Sequence, residues 1–144
     1  MTEPTEATPP PKALRAAVGV WLALGVFGLL NVVYLWFQRN ALRDEALRRG
    51  LVNEQNADST ITTLLVQLTA TLLLFAVGYT IFAWFLRKGH RWARIALSLL
   101  AGLHLLWVVL LSQSPANLVS VLLMGIGFAL TWRPTTSHWL KEQQ

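Results

Sequence analysis

Three stretches of this chain contain no Asp, Glu, Lys or Arg: residues 16–38, 59–86 and 95–132. The last is divided by Ser112-Gln113-Ser114-Pro115, so the chain holds four apolar runs. A hydrocarbon core about 30 Å thick is crossed by roughly 20 apolar residues in a helix. The four runs therefore predict an all-α, polytopic membrane protein, a bundle of four antiparallel transmembrane helices. Composition agrees: 54% of residues are hydrophobic and 13% charged, against about 25% charged in ordinary soluble domains.

The expected spans are residues 13–37, 60–86, 92–111 and 116–132. The first, at 1.5 Å per residue, is about 36 Å long and the third about 30 Å. The run from Ala16 to Phe37 is too long for a signal peptide's apolar core, and no small-x-small cleavage pattern follows it, so it reads as a retained helix. Pro4, Pro9, Pro10 and Pro11 sit among Thr and Glu before it, so residues 1–12 are expected to be a disordered tail. Residues 38–59 link the first two spans with helical character. Asp44 and Glu45 stand four residues before Arg48 and Arg49, and Gly50 is placed to stop a helix. Arg133-Pro134 is expected to end the fourth helix, leaving residues 134–144 as a short polar tail.

The basic residues set the expected orientation. Lys12, Arg15, Arg87, Lys88, Arg91, Arg94, Arg133 and Lys141 share one side of a four-span arrangement, and Arg39, Arg43, Arg48 and Arg49 share the other. Eight against four places both termini in the cytoplasm of a cell-membrane protein. Because these charges flank apolar runs, the net charge of +5 is assigned to topology, and no nucleic-acid partner is expected. Arg87, Lys88, Arg91 and Arg94 also suit contact with anionic lipid headgroups, worth about 1 kcal/mol each near the surface.

Several chemistries are excluded by what is missing. No carboxylate lies mid-span, whereas small four-helix multidrug exporters depend on an intramembrane glutamate. The chain has no cysteine, so neither a thiol redox pair nor a thiolate metal site can form. His90, His104 and His138 are scattered, and no metal-ligand motif, phosphate-binding loop or nucleophile elbow is present. We expect no catalytic residues, metal or cofactor.

One constellation stands out. Asn31, Gln67 and His104 each fall roughly 8–11 Å below the outer end of their span. Antiparallel helices can bring them into one polar layer, a candidate site for a ligand, a lipid headgroup or a proton, with His104 its titratable member. The competing reading is a set of interhelical hydrogen bonds holding register, worth about 0.6 kcal/mol each and up to roughly 2. Small residues recur on every span: Gly19, Gly25 and Gly28, then Gly78, then Ser98 with Gly102, then Gly125 with Ala129. Such faces favour close helix approach. They motivate the first functional expectation, a non-enzymatic accessory or scaffolding subunit that binds a membrane partner or a second copy of itself. The alternative is a small transporter or a lipid- or ligand-handling protein that uses the polar layer.

The run Leu86-Arg87-Lys88-Gly89-His90-Arg91-Trp92-Ala93-Arg94, followed by an apolar helix and then Trp132-Arg133-Pro134, resembles small actinobacterial four-span membrane proteins. Many of these carry a Gly-x-x-Trp-Ala-Arg turn before a span and a Pro- or Thr-rich N-terminal tail. The resemblance covers the second to fourth spans. It implies an integral membrane fold and brings no functional residue with it.

Overall fold

The computed structural model describes residues 8–111 and 115–143. The expected disordered tail lies outside these up to Ala7, as does the turn at Ser112-Gln113-Ser114. Six helices follow in order: α1 (Lys12–Phe37), α2 (Arg39–Arg48), α3 (Ala57–Arg87), α4 (Arg91–Leu111), α5 (Pro115–Thr131) and α6 (Pro134–Glu142). Among the described residues there is no strand. By length and hydropathy α1, α3 and α4 can each cross a membrane, and α5 with α6 supplies up to a fourth span, bent by 53°.

Helix α1 is the central element. It packs against α3 on one side and α5 on the other, α3 packs against α4, and α4 and α5 meet only sparsely. One stripe explains this role: Leu14, Ala17, Trp21, Leu24, Gly28, Asn31 and Leu35 recur at alternating steps of three and four, the spacing of a single helical face. The inward face of α3 is equally regular, with Ile61, Leu65, Leu72, Ala76, Tyr79, Ala83 and Leu86 all buried. On α4 it is Ala93, Leu97, Ala101, His104 and Val108. The outward faces of all these helices carry exposed Leu, Val and Ile, as expected where the solvent is lipid.

The ends of the bundle differ. At the end holding the termini, Trp21 is fully buried and lies parallel to Tyr79, with ring centroids 5.4 Å apart. Its indole N–H donates to Thr131 Oγ1 at 3.0 Å. Gly127 passes so close beneath the indole that a Cβ there would meet it at 3.0 Å. Trp21 is thus a core residue, unlike the tryptophans that stand at span ends.

Residues 134–142 are not tail. Pro134 takes the first helical position, where its missing N–H costs nothing, and α6 leaves α5 at the 53° bend with Thr136, Trp139 and Leu140 buried. Trp139 Nε1 donates to the Thr8 carbonyl at 2.9 Å, tying the two chain ends together. The turn between α3 and α4 uses Gly89 at φ +88°, and Trp139 of α6 and Gln143 just after it pack directly over the glycine.

At the opposite end, α1 breaks at Gln38 and α2 packs against α3. Ala46 packs with Ile61 and Leu65 of α3, flanked by Leu35 and Val52. Arg39 donates to Thr62 Oγ1 at 2.8 Å, and Arg39 and Arg43 approach Asp58 at 3.6 and 3.4 Å. Gly50, at φ +66°, ends the helix and turns the chain back toward α3.

Candidate functional site

The α1 stripe changes character halfway along. Trp21 and Leu24 fill the termini end, but the next two positions are Gly28 and Asn31. A Cβ placed on Gly28 would meet nothing within 4 Å. Opposite, α5 contributes Asn117 and Ser120 where its termini half contributes Met124. Small and polar residues thus face one another where α4 and α5 scarcely touch. The result is a cavity of about 520 Å³ in the α2 half of the bundle, within the range of small-molecule sites.

Its walls are unequal. Helix α3 presents Leu64, Leu65, Leu68 and Leu72, and α4 adds Trp107. Asn31, His104, Asn117 and Ser120 supply polar groups from α1, α4 and α5. Leu42, Ala46, Leu51 and Val52 form a roof from α2 and the loop that follows. Glu45 and Arg49 border the cavity on α2. Leu64, Arg49 and Leu51 line the cavity yet are well exposed, which marks its mouth at the edge between α2 and α3.

The base of the cavity is aromatic. His104 stacks on Phe75, with centroids 4.4 Å apart, and its Nδ1 lies 3.0 Å from the Tyr79 hydroxyl. Tyr79 is in turn stacked on Trp21. A continuous series, Trp21, Tyr79, His104 and Phe75, therefore separates the closed half from the open one. Asn31 and Ser120 make no side-chain hydrogen bond among the described residues, and both line the cavity. Asn117 lines it as well and has a partner of its own.

At the rim, Arg49 Nε donates to Glu45 Oε1 at 2.6 Å, and Arg48 approaches the other oxygen at 2.8 Å. Those guanidiniums hold the Glu45 carboxyl below its ordinary range.

Of the three residues expected in a polar layer, two converge on this cavity. Asn31 and His104 line it, whereas Gln67 lies on the exposed face of α3 with Thr63 and Ala70. Asn117, Ser120 and Tyr79 were not anticipated. Asn117 and Ser120 are one helical step apart in an apolar run, the same signal that marked Asn31.

The basic turn is partly committed to structure. Arg94 donates to Ser137 Oγ at 2.9 Å and lies 4.2 Å from the Trp132 ring centroid. Lys88 sits 3.6 Å over Trp84. Arg87 is exposed, and Arg91 is half-buried and has a partner. No protein-family model, curated protein or solved structure matches the chain.

Proposed function

We propose that this chain is a non-enzymatic, four-span protein of the cell membrane that holds a small, largely apolar ligand in the cavity beneath α2. The observation that carries this reading is the void at Gly28. A helix seam that is filled elsewhere is left open, and Asn31 and Ser120 present unpaired polar atoms to it. A purely structural polar layer would pair those groups with each other, since an unsatisfied polar atom away from water is costly. The mouth then faces the outer surface, because the basic residues outnumber those of the α2 end by eight to four. Activity of a periplasm-only reporter fused after Gly89 would overturn that orientation.

The test is extraction of the purified protein. Wild type from mild detergent should carry a small molecule near one per chain, and Gly28→Leu should lose it. Retention of the same molecule at the same level by Gly28→Leu would refute the assignment.

A second reading rests on different residues. Gly19, Gly102 and Gly125 have open space where a Cβ would stand, so these three small-residue positions are unused within one chain. They favour association with another membrane helix, as an accessory subunit or a homo-oligomer. Cysteine crosslinking from Gly102 and Gly125 in native membranes should then yield a discrete product; a monomer alone would reject it.

A further inference from the structure

The cavity also specifies the chemistry of what fills it. We infer that its ligand is a single-chain amphiphile with an uncharged, hydrogen-bonding head, seated head-inward at Asn31 and Ser120, with its chain along the α3 leucines toward the mouth. This rests on the ligand-binding reading above and adds the ligand's class.

The first argument is charge. Asn31 and Ser120 each both donate and accept, and Asn117 adds a carboxamide nearby. No Asp, Glu, Lys or Arg stands among the inner lining residues; the charged ones, Glu45 and Arg49, are at the rim and bound to each other. An ionised head at Asn31 would lose its hydration without gaining a counter-charge, which costs several kcal/mol. A hydroxyl, amide or ester head meets donors and acceptors alike. His104 offers only the nitrogen not engaged with Tyr79.

The second argument is direction. Asn31 is six residues, about 9 Å, from the end of α1, so the polar groups lie inside and the leucine wall runs from them toward the mouth at Leu64. A head-outward ligand would press its chain against the unpaired Asn31 and Ser120 atoms. The third is size. At roughly 30 Å³ per heavy atom at liquid density, 520 Å³ admits about 17 heavy atoms, one medium-length chain with a compact head and not a two-chain phospholipid.

The experiment compares three probes that share a chain and differ in head charge: dodecanamide, dodecyl sulfate and dodecyltrimethylammonium. Each is radiolabelled and equilibrated at neutral pH with wild-type protein in phosphatidylcholine nanodiscs. Gly28→Leu nanodiscs give the bilayer-partitioning blank, and Ser120→Leu provides a second blank from the opposite wall. Dodecanamide should exceed both blanks and saturate at up to one per chain, and the two charged probes should match them. Asn31→Leu should weaken dodecanamide binding about tenfold. Saturable excess of either charged probe, equal to or above that of the amide, would overturn the uncharged-head assignment and leave the cavity reading standing. No excess for any probe would remove both.

Discussion

The packing account makes opposite demands on two glycines, and the substitution Gly→Leu tests them together. At Gly28 the first added carbon meets nothing within 4 Å, and the rest of the side chain enters the cavity. Leucine is about 1 kcal/mol better than glycine in a helix interior. Because lipid is as apolar as leucine, no further transfer term is expected, although dispersion adds roughly 0.1–0.2 kcal/mol for each new atomic contact. Gly28→Leu should therefore be more stable than ligand-free wild type by about 1 kcal/mol, and it should abolish ligand retention. At Gly127 the added Cβ would stand 3.0 to 3.2 Å from three atoms of the Trp21 indole. That ring cannot readily yield, being stacked on Tyr79 and bonded to Thr131. Overpacking costs about 1–3 kcal/mol, and displacing the indole also breaks its hydrogen bond. After the same helical gain, Gly127→Leu should destabilise by about 2 kcal/mol. Reversible unfolding in mixed micelles, followed by circular dichroism, reads both. The double variant Trp21→Leu with Gly127→Leu should recover more than half of the loss, since the two changes share one space. Equal signs for the two glycines, or no recovery in the double variant, would refute the reasoning.

Other outcomes follow from the same contacts. Thr131→Val keeps the side-chain shape but leaves the buried Trp21 N–H without its acceptor, so it should cost about 1–3 kcal/mol in the same unfolding assay; an unchanged protein would show that the bond carries no weight. Asp58→Asn removes the shared partner of Arg39 and Arg43. Asp58 is well exposed and the two arginines are half-buried, so the cost should stay near 1 kcal/mol or below, visible as faster hydrogen exchange in α2 and shrinking at high salt. The Glu45 carboxyl is held below its ordinary 4.5 by Arg49 and Arg48. Its folded value is thus lower than its unfolded one, so its support for α2 is complete above the ordinary carboxylate range and is lost as pH falls through the folded value. A spin label on α2 should gain mobility in acid in wild type and show a flat profile across that range in Glu45→Gln.

The parts of this fold visible in the sequence are those carried by one helix alone. Charge-free runs located α1, α3 and α4, and Asp44 and Glu45 spaced from Arg48 and Arg49 located α2. What was hidden depends on which neighbour a helix meets. Pro134 reads as a stop after the apolar run, yet it opens α6, because proline suits the first turn of a helix as well as it ends the previous one. Gln67 and His104 looked equivalent by depth. Helix α3, however, scatters Thr62, Thr63, Gln67, Thr69 and Thr71 around its circumference, so its own pattern does not choose an inward side. Packing against α1 through Ala76 and Tyr79, and against α2 through Ile61 and Leu65, makes the choice and turns Gln67 out. Glycine was ambiguous for the same reason. Gly127 serves the Trp21 ring, whereas Gly28, one of the small residues read as favouring close packing, instead borders a void.

The two halves of the bundle thus follow from one α1 stripe read against different partners. Toward the termini each step presents a side chain that a neighbour needs, and α6 closes the end. Toward α2 the stripe withdraws at Gly28, α5 withdraws with it, and the walls are held by contacts at the roof: Asp58 with Arg39 and Arg43, and Ala46 with Ile61 and Leu65. In water an apolar void of this size would be under strong pressure to close. Among lipid tails that pressure is weak, since closing the gap gains only dispersion contacts. Local stability should divide along the same line, with α1 near Trp21 and α3 near Tyr79 exchanging amide hydrogens most slowly. The α2 roof, held by ion pairs at the surface and one small cluster, should open first.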